Sequence, residues 1–132
     1  MSPEAGKILI VDDDPGMLDT LTDVLSAVGY ETSAAASGDM ALAKAQAGRF
    51  DLILMDVQMP GLNGVQTLRA LRALDPATVV VMMTAYTGDE LVAESERTTG
   101  FGVLSKPLDL DRVLPFVRRI VSSRTGRGIT SE

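Results

Sequence analysis

The chain contains no cysteine, no histidine and no tryptophan among its 132 residues, and aromatic side chains make up only 4% of it. Without cysteine there are no disulfides, thiolate metal sites or thiol nucleophiles. Without histidine, imidazole general bases and histidine-ligated metals are excluded as well. Any bound metal must therefore be held by oxygen atoms, which favours Mg²⁺ or a similarly hard cation.

Long apolar runs and an excess of positive charge are also missing. No run approaches the ~20 apolar residues that a membrane-spanning helix needs, and residues 1–7 lack a basic start followed by an apolar core. The formal net charge is −6 and the pI is about 4.6, so the basic surface typical of a nucleic-acid binder is absent. We expect a cytoplasmic protein without direct contacts to nucleic acid or membrane.

Short apolar runs alternate with segments of helical period, a pattern typical of βα units around a parallel sheet. The predicted strands are residues 7–11, 31–35, 51–55, 78–83 and 102–105. With 45% hydrophobic residues the chain can bury the core of one domain. We predict an N-terminal lead at 1–6, one α/β domain at 7–121, and a flexible tail or truncated linker at 122–132.

A helical period follows each predicted strand. The predicted helices run from Met17 to Val28, from a cap at Ser37 to Gly48, from Val65 to Leu74, from Gly88 to Thr99, and from Asp109 to Val121. The fourth is polar and has few apolar residues to dock it, so we expect it to be marginal. Pro115 lies inside the fifth, where it removes a backbone donor, and predicts a kink or a late start.

Polar residues stand at the carboxyl ends of four apolar runs. They are Asp12, Asp13 and Asp14 after the first run, Asp56 at the third, Thr84 at the fourth and Lys106 at the fifth. Ligands of an open doubly wound sheet bind beyond these strand ends. Converging acids repel one another unless a cation lies among them, which predicts Mg²⁺ with open positions for phosphate oxygens.

The residue types in this predicted site suit phosphoryl transfer. A carboxylate such as Asp56 can act as a nucleophile and form an aspartyl phosphate. Lys106 would then neutralise phosphate charge, and the Thr84 hydroxyl would donate a hydrogen bond to a phosphate oxygen. Asp14 is interpreted as the cap of the first helix, because acids there satisfy free backbone amides.

Four linked motifs carry a resemblance to a known family. They are residues 8–15 (ILIVDDDP), 52–64 (LILMDVQMPGLNG), 81–86 (VMMTAY) and 104–109 (LSKPLD). With all four in this order, the chain resembles a response-regulator receiver domain over about residues 7–121. The resemblance implies a flavodoxin-like doubly wound (βα)5 sandwich of three layers. Its five parallel strands would lie in the order 2-1-3-4-5, of which the chemotaxis receiver and flavodoxin are type cases.

The resemblance also implies a role in a two-component phosphorelay. Asp56 would accept a phosphoryl group from a phosphohistidine on a sensor histidine kinase or phosphotransfer protein. Because the chain has no histidine, the donor must be another molecule. Slow hydrolysis would then remove the phosphate, so the domain is expected to be a switch acting on a downstream protein target, not a dedicated enzyme.

Roles for the other site residues follow from the same resemblance. Asp13 would be the acid nearest Mg²⁺, Asp12 would act partly through water, and the backbone carbonyl of Gln58 would complete the protein ligands beside Asp56. Lys106 would bind phosphate and precede a cis bond to Pro107 that aims it inward. A further implication is that Thr84 moves toward the phosphoryl group and carries the signal.

One departure from the family pattern concerns Val103, which stands where many receivers have a Tyr or Phe that swings during switching. Phe101 and Tyr86 are the candidates to substitute for that ring. Gln58 and Tyr86 occupy the positions that, by resemblance, set the lifetime of the phosphate. Both a monomer and a homodimer formed through the fourth helix, fifth strand and fifth helix are compatible with the sequence.

Two alternative functions stay open. Residues 11–14 contain an Asp-x-Asp after a strand, which suits an aspartate-nucleophile phosphatase of the haloacid dehalogenase kind with Asp12 as the nucleophile. The chain is short for such an enzyme with a cap domain. The second alternative is a degenerate receiver that only binds partners, against which the full set of acids, Thr84 and Lys106 speaks.

Overall fold

Each predicted apolar run contributes a strand to the computed structural model, which describes residues 6–85, 90–99 and 102–125. The strands are β1 Lys7–Val11, β2 Glu31–Ala35, β3 Leu52–Asp56, β4 Val80–Thr84 and β5 Leu104–Ser105. All neighbours pair in parallel, in the order β2-β1-β3-β4-β5. The predicted fold class and strand order are confirmed.

Five helices connect and follow the strands. They are α1 Pro15–Ala27, α2 Gly38–Ala47, α3 Gly64–Leu74, α4 Glu90–Thr99 and α5 Leu110–Thr125. Polar caps fix where the first three begin, because the side chains of Asp14, Ser37 and Asn63 each accept a hydrogen bond from a free amide of the first turn. Among the described helices none has the length and apolar character to cross a membrane.

The sheet is covered on both faces. Along β1, Ile8 and Ile10 point into a core formed with α1 and α5, whereas Leu9 and Val11 point into a core formed with α2 and α3. This alternation follows from the period of two in a strand. It also explains why β1, β3 and β4 are continuous apolar runs, since both of their faces are buried.

The bounds of three strands differ from the prediction, and β3 and β4 begin one and two residues later than predicted. β3 and β4 each continue one residue further, so that Asp56 and Thr84 are the last residues of their strands instead of the first residues after them. The parallel pairing of Asp56 with Met83 extends the ladder to that point. β5 has two residues instead of the predicted four, and Pro107 soon after it has no backbone donor to continue the pairing.

The fifth helix runs through Pro115, from Leu110 to Thr125. The late start predicted for it is therefore wrong, and the kink stays a prediction. Its buried apolar face, which includes Val117 at 0% exposure, offsets the backbone hydrogen bond that Pro115 cannot donate. Pro115 itself lies on the exposed face of the helix. The helix passes the domain end predicted at Val121, and residues 1–5 and 126–132 of the predicted lead and tail lie outside the described residues.

The fourth helix forms as predicted. Its buried residues are Ser95 and Thr99, and its apolar residues at 91–93 are only half-buried. The start predicted at Gly88 lies outside the described residues. The helix is therefore anchored to the domain with little buried apolar surface.

Candidate functional site

Three carboxylates meet at the carboxyl edge of the sheet. Asp12 follows β1, Asp56 ends the neighbouring strand β3, and one oxygen from each lies within 4.8 Å of the other and of an oxygen of Asp13. Asp12 is completely buried and Asp56 is 7% exposed, whereas Asp13 faces solvent. The structure thus brings together the acids that the sequence placed at separate strand ends.

Lys106 places a cation against this cluster. Its Nζ lies 2.6 Å from Asp12 Oδ2 and 3.6 Å from Asp56 Oδ2, and its side chain is 15% exposed. The position is fixed by the backbone, because the Lys106 amide donates to the Thr84 carbonyl at 2.7 Å. The bond from Lys106 to Pro107 is cis, as predicted.

The hydroxyl and the loop residue predicted for the site lie at the same edge. Thr84 ends β4 beside β3 and is 2% exposed. Gln58 is half-buried, and its backbone amide interacts with the Asp56 carboxylate. Val103 packs against the core formed with α2 and α3. Tyr86 and Phe101, the rings considered as substitutes for an aromatic at Val103, lie outside the described residues.

Burial and charge shift the titration of the two groups at the centre of the site. Burial raises the pKa of Asp56 to about 6, because the nearby charges of Asp12 and Asp13 add to desolvation and outweigh the opposing effects of Lys106 and the Gln58 amide. Burial alone would lower the pKa of Lys106, but its contacts with Asp12 and Asp56 more than offset this and raise it. At neutral pH the site therefore holds an ionised Asp56 beside a charged lysine.

The donor set fits a hard divalent cation. When ionised, three carboxylates against one ammonium leave a net charge of −2 at the cluster, which favours a second cation. All available donors are oxygens, the ligand type preferred by Mg²⁺. Because Asp13 is exposed, the open side of the cluster can supply the water ligands that Mg²⁺ retains.

The turn that follows Asp56 depends on a residue that the sequence argument did not single out. The Gly64 amide donates to the Val57 carbonyl at 2.8 Å. A Cβ on Gly64 would lie 2.7 Å from the Asp56 carbonyl oxygen and 2.9 Å from the Val57 Cα, so only glycine fits there. The capping box of Asn63 and Gln66 starts α3 at this point, and the Asn-x-x-Gln spacing was the signal available in the sequence.

Solved structures of known proteins share this fold. Chemotaxis protein CheY4 of Vibrio cholerae is 34% identical, with a TM-score of 0.80, and the alignment covers 88% of this chain and 98% of CheY4. Response regulator protein TrrA of Thermotoga maritima, solved in complex with Mg²⁺ and BeF, is 27% identical with a TM-score of 0.76, covering 86% of this chain and 97% of TrrA.

Relatives are also found at the level of sequence. Sporulation initiation phosphotransferase F of Bacillus subtilis is 35% identical over 113 residues, which are 86% of this chain and 91% of that protein. Transcriptional regulatory protein ZraR of Escherichia coli is 41% identical over 106 residues, which are 80% of this chain but only 24% of ZraR. The chain thus spans about a quarter of the ZraR regulators. The sequence-family model of the response regulator receiver domain matches residues 8–118. The chain therefore belongs to the receiver-domain family of two-component response regulators.

Proposed function

We propose that Asp56 is the phosphoacceptor of a cytoplasmic two-component phosphorelay. The observation that carries the proposal is the position of Asp56 at the end of β3, with its carboxylate among those of Asp12 and Asp13 and 3.6 Å from the Lys106 ammonium. A carboxylate beside a cation and a set of metal-ligating oxygens is equipped to attack phosphorus. The donor would be a phosphohistidine on a sensor histidine kinase or phosphotransfer protein.

In this mechanism an Asp56 oxygen attacks the phosphorus of the donor. An oxygen–phosphorus bond forms, the nitrogen–phosphorus bond breaks, and the electron pair returns to the imidazole of the partner. Lys106 would leave its contact with Asp12 to pair with a phosphoryl oxygen, and Thr84 would donate its hydroxyl hydrogen to another. Asp56 keeps the phosphoryl group until water attacks phosphorus and releases inorganic phosphate.

Asp12, Asp13, Asp56 and the Gln58 carbonyl would hold Mg²⁺ at this site. When bound, the ion neutralises charge that develops on the phosphoryl oxygens and aligns them with the nucleophile. The complex of the similar protein TrrA with Mg²⁺ and BeF supports the same ligand class here. Before the phosphoryl group arrives, Lys106 supplies the positive charge beside the deeply buried Asp12.

The phosphatase alternative with Asp12 as the nucleophile is less well supported by the contacts. Asp12 is fully buried, one of its oxygens accepts the Asp14 amide at 3.0 Å, and the other is 2.6 Å from Lys106. Both oxygens are thus engaged away from solvent. A degenerate receiver is disfavoured because the acids, Thr84 and Lys106 occupy the same edge of the sheet.

Incubation with a small-molecule phosphodonor and Mg²⁺, followed by intact mass measurement, tests the proposal. We expect one phosphoryl group per chain, no label on Asp56→Asn, and no label when a chelator removes Mg²⁺. Asp14→Asn is a matched control, since it makes the same substitution nearby but outside the cluster. An unlabelled wild type, equal labelling of Asp56→Asn, or a label mapped to Asp12 would contradict the proposal.

A further inference from the structure

Helix α4 buries little apolar surface against the rest of the domain. Among its ten residues, the side chain that packs into an apolar core is Leu91, which is only half-buried. The hydroxyl of Ser95 donates to the Leu91 carbonyl and that of Thr98 to the Glu94 carbonyl. Both of these hydrogen bonds are made within α4 and do not tie it to a neighbouring element. A short helix with so little buried apolar surface needs other contacts to keep its position.

Two arginines of α3 supply those contacts. Arg69 Nη2 lies 2.6 Å from Glu94 Oε2, and Arg72 Nη1 donates to the Thr98 carbonyl at 2.7 Å. Residues three apart share a helix face, so both arginines reach α4 from the same side of α3. Thr98 lies in the last turn of α4, where carbonyls lack partners within the helix and cations are favoured. Arg72 therefore caps α4 from the neighbouring helix.

The buried Nε of the half-buried Arg72 indicates that this contact serves position more than stability. Its Nε is buried and has no hydrogen-bond partner among the described residues. An unsatisfied buried donor is unfavourable, and an apolar side chain of similar length would avoid that cost. What arginine adds at this place is a directional tie between α3 and the end of α4.

The other end of α3 touches the site. Gly64, the first residue of α3, lies so close to the Asp56 carbonyl that a Cβ would be 2.7 Å away, and its amide donates to the Val57 carbonyl. From Gly64 to Leu74 the helix is continuous. A displacement of the backbone at Asp56 would therefore shift α3 as a unit, and the arginines of its second half would pass the shift to α4.

We propose that Arg69 and Arg72 couple the state of Asp56 to the position of α4. The inference rests on the proposed function of Asp56, and it supplies a connection to α4 that needs no aromatic side chain at Val103. Arg69 and Arg72 are positioning residues, since neither touches the site. Because coupling between two sites is reciprocal, weakening the arginine contacts should also change how tightly the site binds a phosphoryl analogue.

Amide hydrogen exchange with and without beryllofluoride and Mg²⁺ tests this coupling on the full chain. In the wild type we expect the analogue to change the exchange rates of residues 90–99 by about fivefold or more, the lower end of typical allosteric couplings. In Arg69→Gln/Arg72→Gln the change at 90–99 should shrink to less than half. The change at residues 56–66 should persist, which shows that the variant is folded and still binds the analogue.

Three further variants keep the result specific. Arg49→Gln removes an exposed arginine outside these contacts and should behave as the wild type. Arg69→Glu places a second carboxylate against Glu94 and should weaken the response of α4, and the exchange of charges in Arg69→Glu/Glu94→Arg should restore it.

Each adverse result overturns the coupling in a distinguishable way. If the wild type shows no change at 56–66, the analogue does not bind and the proposed function fails together with the inference. If 56–66 responds but 90–99 responds equally in wild type and double variant, the proposed function stands and only the coupling through Arg69 and Arg72 is wrong. The same conclusion follows if Arg69→Glu/Glu94→Arg does not restore the response of residues 90–99.

Discussion

Lys106 Nζ lies 2.6 Å from Asp12 Oδ2, and the Asp12 side chain is only 1% exposed. The pair joins residues 94 positions apart in the chain, and Lys106 is the cation within salt-bridge distance of Asp12 among the described residues. At this depth each charge of the ion pair requires the other, because either charge alone would be buried without compensation.

Removing the lysine should therefore destabilise the domain. For Lys106→Met we expect the free energy of unfolding to fall by about 3 kcal/mol without Mg²⁺, since Asp12 is left buried and unpaired. Added Mg²⁺ should recover part of this loss by supplying another positive charge. Urea denaturation with and without Mg²⁺ measures both effects. Lys44→Met, at a half-buried lysine of α2, is the control, and an equal loss in both variants would argue against the pair.

Asp56 should make stability depend on pH in the opposite sense from an ordinary surface acid. Its pKa is about 6 in the folded protein against 3.8 for an unperturbed aspartate side chain, so between these pH values the folded state keeps a proton that the unfolded state has lost. The free energy of unfolding should fall as pH rises from about 4 to about 6 and stay lowered above about pH 6. Below about pH 4, Asp56 should have no effect on it.

The variant Asp56→Asn isolates this effect. The difference in pKa corresponds to at most about 3 kcal/mol, and water access at the rim of the site reduces the expected gain at pH 7 to about 1–2 kcal/mol. The gain should vanish below pH 4. Unfolding curves recorded in chelator from about pH 3.5 to about pH 8 provide the measurement. Asp23→Asn, on the exposed side of α1, is the control. A gain independent of pH would contradict the assigned cause.

The strand ends were predictable because two simple signals coincide there. Continuous apolar runs identified the strands covered on both faces, and the polar residue that closes each run identified the edge at which Asp56, Thr84 and Lys106 meet. The carboxyl ends of β3 and β4 lie one residue further than predicted because backbone pairing with the neighbouring strand, which no single run contains, extends both strands.

Other features depend on tertiary contacts that leave little trace in the sequence. Arg69 and Arg72 look like ordinary charges on the polar side of a helix, and only the placement of α4 gives them the partners Glu94 and Thr98. Pro115 suggested a late start for α5, but burial of the surrounding apolar face outweighed one lost hydrogen bond. Met40 in α2 is 45% exposed although its side chain is apolar, since Ala41 occupies the buried face.

Mg²⁺ should stabilise the folded domain through the acidic cluster. At a concentration 100 times the dissociation constant the expected gain is about 2.7 kcal/mol, because the ion binds the folded state alone. Asp13→Asn should weaken Mg²⁺ binding by about tenfold or more and lower the rise in melting temperature accordingly. Asp14→Asn is the matched control, because asparagine can still accept the Gly16 amide as helix cap. An equal response of both variants would place the ion elsewhere.

Gly64 allows a prediction that separates the turn after Asp56 from the chemistry of its side chain. In Gly64→Ala the added Cβ would meet the Asp56 carbonyl oxygen at 2.7 Å and the Val57 Cα at 2.9 Å, both of them backbone atoms. Since backbone cannot turn aside as a flexible side chain can, we expect a loss of about 1–3 kcal/mol in stability and slower labelling of Asp56.

Gly16→Ala is the control for the general effect of adding a methyl group to a helix start. The nearest atom to a Cβ there is Asp14 Oδ1 at 3.4 Å, so alanine fits and should leave stability unchanged or raise it by up to about 1 kcal/mol through its higher helix propensity. If Gly64→Ala were as stable as Gly16→Ala and labelled at the wild-type rate, the close approach of α3 to Asp56 would not constrain the site. The physical connection from Asp56 to α3, on which the role of Arg69 and Arg72 depends, would then be lost as well.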